Sequence, residues 1–286
     1  MKNAFFTFED GSRVSQYEFW KAHEASEETH RILKTETEKL GMIFFSTPSH
    51  PQDVELLERI GVPLYKTGSD DLTNYPFLEY IAKKGKPMIV STGMCTMAEI
   101  EEAVKTIQAT GNDQLILLHC LVGYPAPRRD ANINVIRTLQ QAFDIPIGFS
   151  DHTRGNLASI LAVSLGAVAI EKHFTLDKSP GGPDNDTSVE PDEMKSLLED
   201  LRDVHAVLGH GTKRIQPGEM KWREAGRKSL VAARPIQRGE TITRDMIEIK
   251  RPSSGLHPRY FDVVVGRKAA DAIPEGDLIT WDRLTG

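Results

Sequence analysis

Residues 146–153 read PIGFSDHT, a short apolar run that ends in a cluster of polar side chains. Runs of this kind recur along the first two thirds of the chain, and each is followed by a longer segment with the spacing of an amphipathic helix. We predict strands at Met42–Thr47, Pro63–Thr67, Pro87–Ser91, Leu115–His119, Pro146–Phe149 and Val168–His173. Continuous apolar strands that alternate with amphipathic helices are typical of a parallel sheet covered by helices. The sequence therefore predicts an α/β fold.

Polar side chains at the ends of these runs favour a barrel over an open sheet. They follow nearly every predicted strand, at Ser46-Thr47, Lys66, Ser69, Ser91-Thr92, His119, Ser150–His152 and Glu171–His173. Functional groups at the carboxyl ends of successive strands are typical of a (β/α)₈ barrel, whereas an open doubly wound sheet binds its ligand at one switch point. No glycine-rich nucleotide-binding motif follows any of the runs. We therefore expect a TIM-type barrel.

The count of strands predicts that this barrel is incomplete. Six strands precede Gly209, where a barrel needs eight, and the segment before Met42 reads as a loop and one helix, Gln16–Leu40. We therefore expect residues 1–210 to form a barrel that lacks its first two βα units. Beyond it, short apolar stretches separated by Gly and Pro turns predict a small β-rich domain over residues 220–286.

The composition excludes several classes of protein. A net charge of −6 over 286 residues argues against a nucleic-acid partner, because neutralising phosphates requires concentrated Lys and Arg. No apolar run approaches the roughly 20 residues that span a bilayer, and the N-terminus lacks the apolar core of a secretion signal. Only Cys95 and Cys120 occur, so a disulfide framework is not expected and the predicted location is the reducing cytoplasm.

Two histidines, His152 and His173, end consecutive predicted strands. Because neighbouring strands lie about 4.8 Å apart, the two imidazoles could share one divalent cation, with Asp151 and Glu171 near enough to act as bases or as partners of the ligands. The alternative is that each ring only hydrogen-bonds a neighbouring loop. The pair in matching positions favours the metal site.

Lys66, together with the hydroxyls of Thr47, Ser69 and Ser91, forms a second candidate cluster. One ammonium and several hydroxyls at neighbouring strand ends would bind a small dianion such as a phosphate. Two alternatives stay open: a structural salt bridge from Lys66 to Asp70 or Asp71, and a Schiff-base lysine.

Two loops could contribute to such a site. Tyr124-Pro125 is either a platform for a sugar ring or a packed turn, and the turn is the simpler interpretation. The loop over residues 181–186 could place Asp184 on a sugar hydroxyl, or could be a solvated turn.

Taken in order, these motifs resemble the N-acetylneuraminate (sialic acid) synthase family with its C-terminal antifreeze-like, or SAF, domain. The matching stretches are Phe44–Thr47, Tyr65–Ser69, Ser91–Met94, His119–Pro125, Gly148–Thr153, Glu171–Thr175, Arg227–Ala232 and Lys250–Pro258. The resemblance begins near Phe44 and covers nearly all of the chain from there. Each motif alone is modestly specific, and the ordered set is highly specific.

The resemblance implies a reaction in which phosphoenolpyruvate condenses with an open-chain N-acetylhexosamine, releasing phosphate and giving a nine-carbon 2-keto sugar acid. It implies that His152 and His173 hold a divalent metal, Mn²⁺ or Mg²⁺ with Co²⁺ as a further candidate, and that Arg251 of the SAF domain serves the active site of a partner in a domain-swapped homodimer. We expect the catalytic residues to be Glu171, His152 and Asp151. We expect the substrate-binding residues to be Thr47, Lys66, Ser69, Asp71, Ser91, Tyr124, Ser150 and Arg251.

The chain departs from the family pattern in several places. The opening A-E-x-G-x-N-H and K-F-Q type motifs of the family are absent, which agrees with the strand count and predicts a shortened chain. Val122 stands where some members carry an asparagine that faces the substrates, and Ser253 stands where a glycine is usual. Two other functions remain open: a non-catalytic relative that binds a sugar or a partner protein, and a metal-dependent aldolase that uses pyruvate.

Overall fold

The computed structural model describes residues 5–7, 13–180 and 184–286, and the chain divides into two compact units, Met1–Gly209 and His210–Gly286. The first unit opens with a two-stranded antiparallel hairpin, β1 (Phe5–Thr7) and β2 (Arg13–Ser15), followed by helices α1 (Gln16–Ala22) and α2 (Glu27–Lys39). The helix predicted over Gln16–Leu40 is therefore two helices. Ser26 accounts for the break, because its hydroxyl accepts a hydrogen bond from the Thr29 amide at 3.1 Å and begins α2 anew.

A parallel sheet forms the centre of the first unit. Its strands, in spatial order, are β3 (Tyr65–Thr67), β4 (Met88–Ser91), β5 (Leu115–Cys120), β6 (Ile147–Asp151) and β7 (Ile170–Lys172). Every neighbouring pair runs parallel. The sheet curls into a half-barrel, which confirms the predicted α/β fold.

Helices alternate with these strands and cover one face of the sheet. They are α3 (Pro51–Ile60), α4 (Tyr75–Ala82), α5 (Met97–Gln108), α6 (Val135–Ala142), α7 (Leu157–Ser164) and α8 (Pro191–Leu208). Helix α5 shows how the sequence sets such an element. Thr96 and Glu99 form a capping box at its start, and Ile100, Val104 and Ile107 recur at helical spacing to bury one face in the core.

The predicted strand at Met42–Thr47 is wrong, because this segment has no ladder with β3 and lies outside any strand. Within the described residues the parallel sheet thus has five strands. An apolar strand is stable in a parallel sheet only when both of its faces are covered. Here Met42 and Ile43 are mostly exposed and Phe44 alone packs against the core, so pairing at this edge would bury too little apolar surface.

The second unit contains short elements around its own apolar core. They are α9 (Met220–Gly226), β8 (Ser229–Ala232), β9 (Ile247–Lys250), α10 (Phe261–Val264), β10 (Lys268–Ala269) and β11 (Leu284–Thr285). Strand β8 pairs with β9 and β10 with β11, both antiparallel. Residues such as Leu230, Ile242 and Ile279 are fully buried between them. Over the described ranges of both units, none of the helices is long and apolar enough to cross a membrane.

Candidate active site

A cavity of about 480 Å³ opens at the carboxyl ends of the parallel strands. Most of the predicted site residues line it, each placed by the end of a strand or by the loop that follows. The predicted residues that line the cavity are Thr47, Lys66, Ser69, Ser91, Tyr124, Ser150, His152, Glu171 and His173. The structure thus brings the two candidate clusters of the sequence, the histidine pair and the lysine with its hydroxyls, into one cavity.

A chain of polar contacts crosses the floor of this cavity from β3 to β7. Lys66 is only 6% exposed, and its ammonium donates to Ser91 Oγ at 2.7 Å and to the Thr67 carbonyl at 2.9 Å. Lys66 Nζ also lies 3.4 Å from Glu171 Oε2, while Ser150 Oγ donates to Glu171 Oε1 at 2.6 Å. The salt bridge of Lys66 is therefore with Glu171, not with Asp70 or Asp71. A buried ammonium needs such a partner, because a lone charge away from water is strongly disfavoured.

The two histidines stand side by side in the cavity wall. Their ring centroids are 5.0 Å apart, and the Tyr124 ring lies 4.5 Å from His152 and 5.5 Å from His173. His152 Nδ1 donates to the Leu121 carbonyl at 2.8 Å, which leaves Nε2 of the neutral ring with the lone pair. A backbone partner on one ring nitrogen is the usual support for a metal-binding imidazole.

The two rings differ in their affinity for a proton. For His152, burial is the largest single influence and disfavours the charged ring. The contacts with Cys120 and the Leu121 carbonyl together outweigh burial and raise the pKa of His152 above its ordinary value. Burial lowers the pKa of His173, the Asp184 carboxylate opposes this, and the neighbouring His152 adds to it. A cation bound by the pair would therefore compete with a proton more at His152 than at His173.

The backbone on both sides of the histidines is held by neighbouring loops. The His152 carbonyl accepts hydrogen bonds from the Ala126 amide at 2.9 Å and from Thr187 Oγ1 at 2.7 Å. The His173 carbonyl accepts one from the Val189 amide at 2.8 Å. Part of the predicted 181–186 loop, residues 181–183, lies outside the described residues. Its described end places Asp184 Oδ2 3.9 Å from His173 Nδ1.

The donor set fits a divalent cation held by two imidazoles, with its other positions left to water or substrate. His152 and His173 are close enough to share one ion, and neutral imidazole is a good ligand for first-row divalent metals. Among the described residues, no group of three His, Cys, Asp or Glu side chains forms a complete ligand cluster. The pair therefore suits an open site, in which a substrate oxygen can complete the coordination.

Five lining residues were not among the predicted site residues, although Val122 was noted as a departure from the family pattern. They are Gly68, Asp70, Met94, Cys120 and Val122. Each ends a parallel strand or lies in the loop that follows one, so position along the chain could have found them. Met94 has a φ of 63°, a conformation that side chains other than glycine rarely adopt. Beside it a Cβ on Gly93 would lie 2.7 Å from Val122 Cγ2, so only glycine allows the two loops to approach this closely.

Three predicted residues do not line the cavity. Asp151 is fully buried behind the sheet and has protein partners on both carboxylate oxygens. Asp71 accepts a hydrogen bond from Asn74 at 3.0 Å at the start of the loop after β3. Arg251 belongs to the second unit, where it follows β9 and is exposed.

Comparison with known proteins identifies similarity in both units. The NeuB family matches residues 1–213, and the SAF domain matches residues 227–285. An N,N'-diacetyllegionaminic acid synthase from Legionella pneumophila is 39% identical over 94% of this chain and 77% of its own length. The human N-acetylneuraminate-9-phosphate synthase is 37% identical over 90% of this chain and 72% of its own. The crystal structure of an N-acetylneuraminic acid synthetase from Leptospira borgpetersenii superposes with a TM-score of 0.66 at 36% identity, covering 70% of each chain.

Proposed function

The chain belongs to the NeuB family of sialic-acid-type synthases, and from this we propose that it condenses phosphoenolpyruvate with an N-acetylhexosamine. The sugar would be N-acetylmannosamine or a relative such as a diacetylated precursor. The products would be phosphate and a nine-carbon 2-keto sugar acid.

One observation carries this proposal: a buried ammonium, Lys66, lies in the same cavity as the histidine pair and is surrounded by hydroxyl groups. Phosphoenolpyruvate carries a phosphate and a carboxylate, and both need charge-assisted donors in a partly dry site. Lys66 and Ser91 are already joined by a hydrogen bond at 2.7 Å, so a donor pair is in place before the substrate arrives. The hydroxyls of Thr47 and Ser69 would supply further donors, while that of Ser150 is donated to Glu171.

The opposite side of the cavity suits the sugar. The Tyr124 ring is 45% exposed and packs on His152, so it offers an apolar face for a sugar chain beside the histidines. Burial, with the nearby Cys120 and Asp184, raises the pKa of Tyr124 to about 12, which keeps its hydroxyl protonated as a donor. The aldehyde carbon would then lie between the histidine pair and the phosphoenolpyruvate methylene.

His152 and His173 would hold Mn²⁺ or Mg²⁺, with Co²⁺ as a further candidate. When bound, the metal would supply Lewis-acid polarisation of a substrate oxygen. The residues of this chain then orient the substrates and exclude water around that oxygen.

Bond formation joins C3 of phosphoenolpyruvate to the aldehyde carbon, and water adds at C2. We assign the proton released by that water to the Glu171 carboxylate, which Ser150 and Lys66 hold in the cavity. Glu171 passes that proton to the alkoxide left at the aldehyde oxygen by C–C bond formation. The tetrahedral C2 then expels phosphate as its hydroxyl gives up a proton to the leaving group, and Lys66 balances the charge of the phosphate.

We further propose that the active enzyme is a homodimer in which Arg251 of one chain serves the cavity of the other. This rests on the SAF domain match over residues 227–285, which includes Arg251.

A phosphate-release assay tests the proposed reaction directly. Purified chain is incubated with phosphoenolpyruvate, Mn²⁺ and one candidate sugar at a time, with a no-sugar reaction and a His173→Ala variant as controls. We expect phosphate release that depends on the sugar and is lost in the variant. Release without any sugar, or none with any of the sugars, would contradict the proposal. Formation of product from pyruvate in place of phosphoenolpyruvate would point instead to an aldolase.

A further inference from the structure

The residues immediately before the two histidines form a buried ion pair. Asp151 and Lys172 are direct partners in the parallel ladder between β6 and β7. Lys172 Nζ lies 3.1 Å from Asp151 Oδ2, and their side chains are 3% and 0% exposed. The pair thus joins the ends of the two strands whose next residues are His152 and His173.

Strand geometry places this pair behind the cavity. Successive side chains of a strand point to opposite faces of the sheet. Ser150 and Glu171, which precede the pair, line the cavity, as do the histidines that follow it. Asp151 and Lys172 therefore face the helical layer, where Asp151 Oδ2 accepts a hydrogen bond from Ser159 of α7 at 2.6 Å.

Further hydrogen bonds fix the pair on all sides. Asp151 Oδ1 accepts from the Thr153 amide at 2.8 Å, and the Lys172 ammonium donates to the Thr153 carbonyl. Both peptide groups of Thr153, the residue after His152, are thereby held by the pair. The turn that carries the first imidazole is consequently tied to the strand that carries the second.

Stability alone is a weak reason for such a pair. Desolvation of two buried charges can outweigh their attraction, and apolar residues of similar volume are often at least as stable in their place. Apolar residues cannot fix the orientation of one strand end relative to the other. Hydrogen bonds can, because their geometry is directional.

We propose that Asp151 and Lys172 are positioning residues that set the separation and mutual orientation of the His152 and His173 rings, and thereby the affinity of the site for a divalent cation. This rests on the proposed metal-binding role of the histidines. It also gives Asp151 a role that involves no contact with the substrate, in place of the catalytic role expected from the sequence.

The test compares metal affinity with stability in matched variants. The main variant replaces the whole pair, Asp151→Leu with Lys172→Met, so that no buried charge is left alone. A milder variant, Ser159→Ala, removes one hydrogen bond to Asp151 and keeps the pair. The control, Glu101→Leu with Lys105→Met, removes an ion pair at the exposed surface of α5.

Three quantities are measured on each full chain. Mn²⁺ binding is followed by electron paramagnetic resonance and by calorimetry, the KM for phosphoenolpyruvate by phosphate release, and the unfolding midpoint in urea with no metal added. We expect the double variant to unfold near the wild-type midpoint and to bind Mn²⁺ about 10- to 100-fold more weakly, the range typical for partners behind metal ligands. Ser159→Ala should bind Mn²⁺ a few-fold more weakly than the wild type, and the control variant should bind it equally well. In every variant the KM for phosphoenolpyruvate should change less than the affinity for Mn²⁺.

Two results would overturn the inference while the proposed function stands. One is wild-type Mn²⁺ affinity in the double variant, or in Ser159→Ala should the double variant not fold. The other is an Asp151→Asn variant with unchanged Mn²⁺ affinity, a lower kcat and a shifted pH profile. That result would show that Asp151 has a catalytic role. Absence of Mn²⁺ binding by the wild-type chain, or binding that survives His152→Ala, would instead overturn the metal site and this inference together.

Discussion

Replacing Lys66 with methionine should strongly weaken the binding of phosphoenolpyruvate and leave the protein folded. Methionine keeps most of the length of the side chain and removes the ammonium that contacts Ser91, Thr67 and Glu171. A hydrogen bond to a charged group contributes about 1.5–3 kcal/mol. Since about 1.4 kcal/mol corresponds to a tenfold change in affinity, the expected loss is roughly 10- to 150-fold. The low exposure of Lys66 places the effect in the upper part of that range, because water screens a buried contact little.

Glu171 makes the prediction sharper. In Lys66→Met its carboxylate keeps the hydrogen bond from Ser150 but loses its counter-charge, so it faces an incoming phosphate as an unpaired anion. The double variant with Glu171→Gln removes this repulsion. It should therefore bind phosphoenolpyruvate more tightly than Lys66→Met alone, although it lacks the same ammonium.

Calorimetric titration with phosphoenolpyruvate, without sugar, measures each affinity apart from turnover. The set comprises the wild type, the two single variants, the double variant and Lys105→Met, which removes an ammonium from the exposed surface of α5. The urea unfolding midpoint of each protein shows whether it is folded. An affinity of folded Lys66→Met within twofold of the wild type would refute the assignment of Lys66 to the anion site. A double variant no better than the single one would refute the repulsion by Glu171.

The other predictions concern the sugar, the metal, the dimer and the second unit. Val122→Asn replaces an apolar wall of the cavity with a hydrogen-bonding one, so it should shift the ratio of kcat/KM about tenfold toward N-acetylmannosamine and away from a deoxygenated diacetamido sugar, measured by competition between the two. Removal of divalent metal with a chelator should abolish sugar-dependent phosphate release, and added Mn²⁺ should restore it in the wild type but not in His152→Ala. Inactive Arg251→Ala and His152→Ala chains, unfolded and refolded together, should recover about a quarter of wild-type activity if each site uses both chains of a symmetric dimer, and none if it uses one. Ser229→Ala removes a hydrogen bond of 2.6 Å from a buried side chain to the Pro252 carbonyl, and it should lower the free energy of unfolding by about 1–3 kcal/mol in urea denaturation followed by tryptophan fluorescence.

The parallel sheet was predictable because its strands carry two independent signals in the sequence. The first is a continuous apolar run, and the second is a helical segment that follows it. Runs such as Leu115–Leu118 and Pro146–Phe149 are apolar and are each followed by a helical segment, and strands form over Leu115–Cys120 and Ile147–Asp151. The segment Met42–Thr47 carries the first signal as strongly as they do. It does not pair because its side chains are not covered by other parts of the protein. Tertiary packing decides whether Met42 and Ile43 have apolar neighbours, and here both are mostly exposed.

The candidate site divides in a similar way. The positions of Lys66, Ser91, Glu171 and the histidines at strand ends were visible in the sequence, because parallel strands bring their carboxyl ends to one edge. That Lys66 pairs with Glu171 was not visible, because 105 positions of sequence separate the partners and Asp70 and Asp71 lie closer. The position of Asp151 behind the sheet could have been predicted. Side chains alternate between the two faces of a sheet along a strand. Continued through the polar end of β6, this alternation places Asp151 on the face opposite to Ser150 and His152.

The contact between Lys66 and Glu171 links substrate binding to the preparation of the base. A distance of 3.4 Å is an ion pair without a close hydrogen bond, and Lys66 makes its two short hydrogen bonds elsewhere. The carboxylate therefore balances the ammonium while the cavity holds no anion. When phosphoenolpyruvate binds, its phosphate can take over that role, and Glu171 is left with only the hydroxyl of Ser150 as a close partner. In the proposed reaction, this exchange leaves the Glu171 carboxylate free to accept the proton of the water that attacks C2. This exchange of partners explains why an acid and an ammonium share one buried cavity without forming a tight, permanent pair.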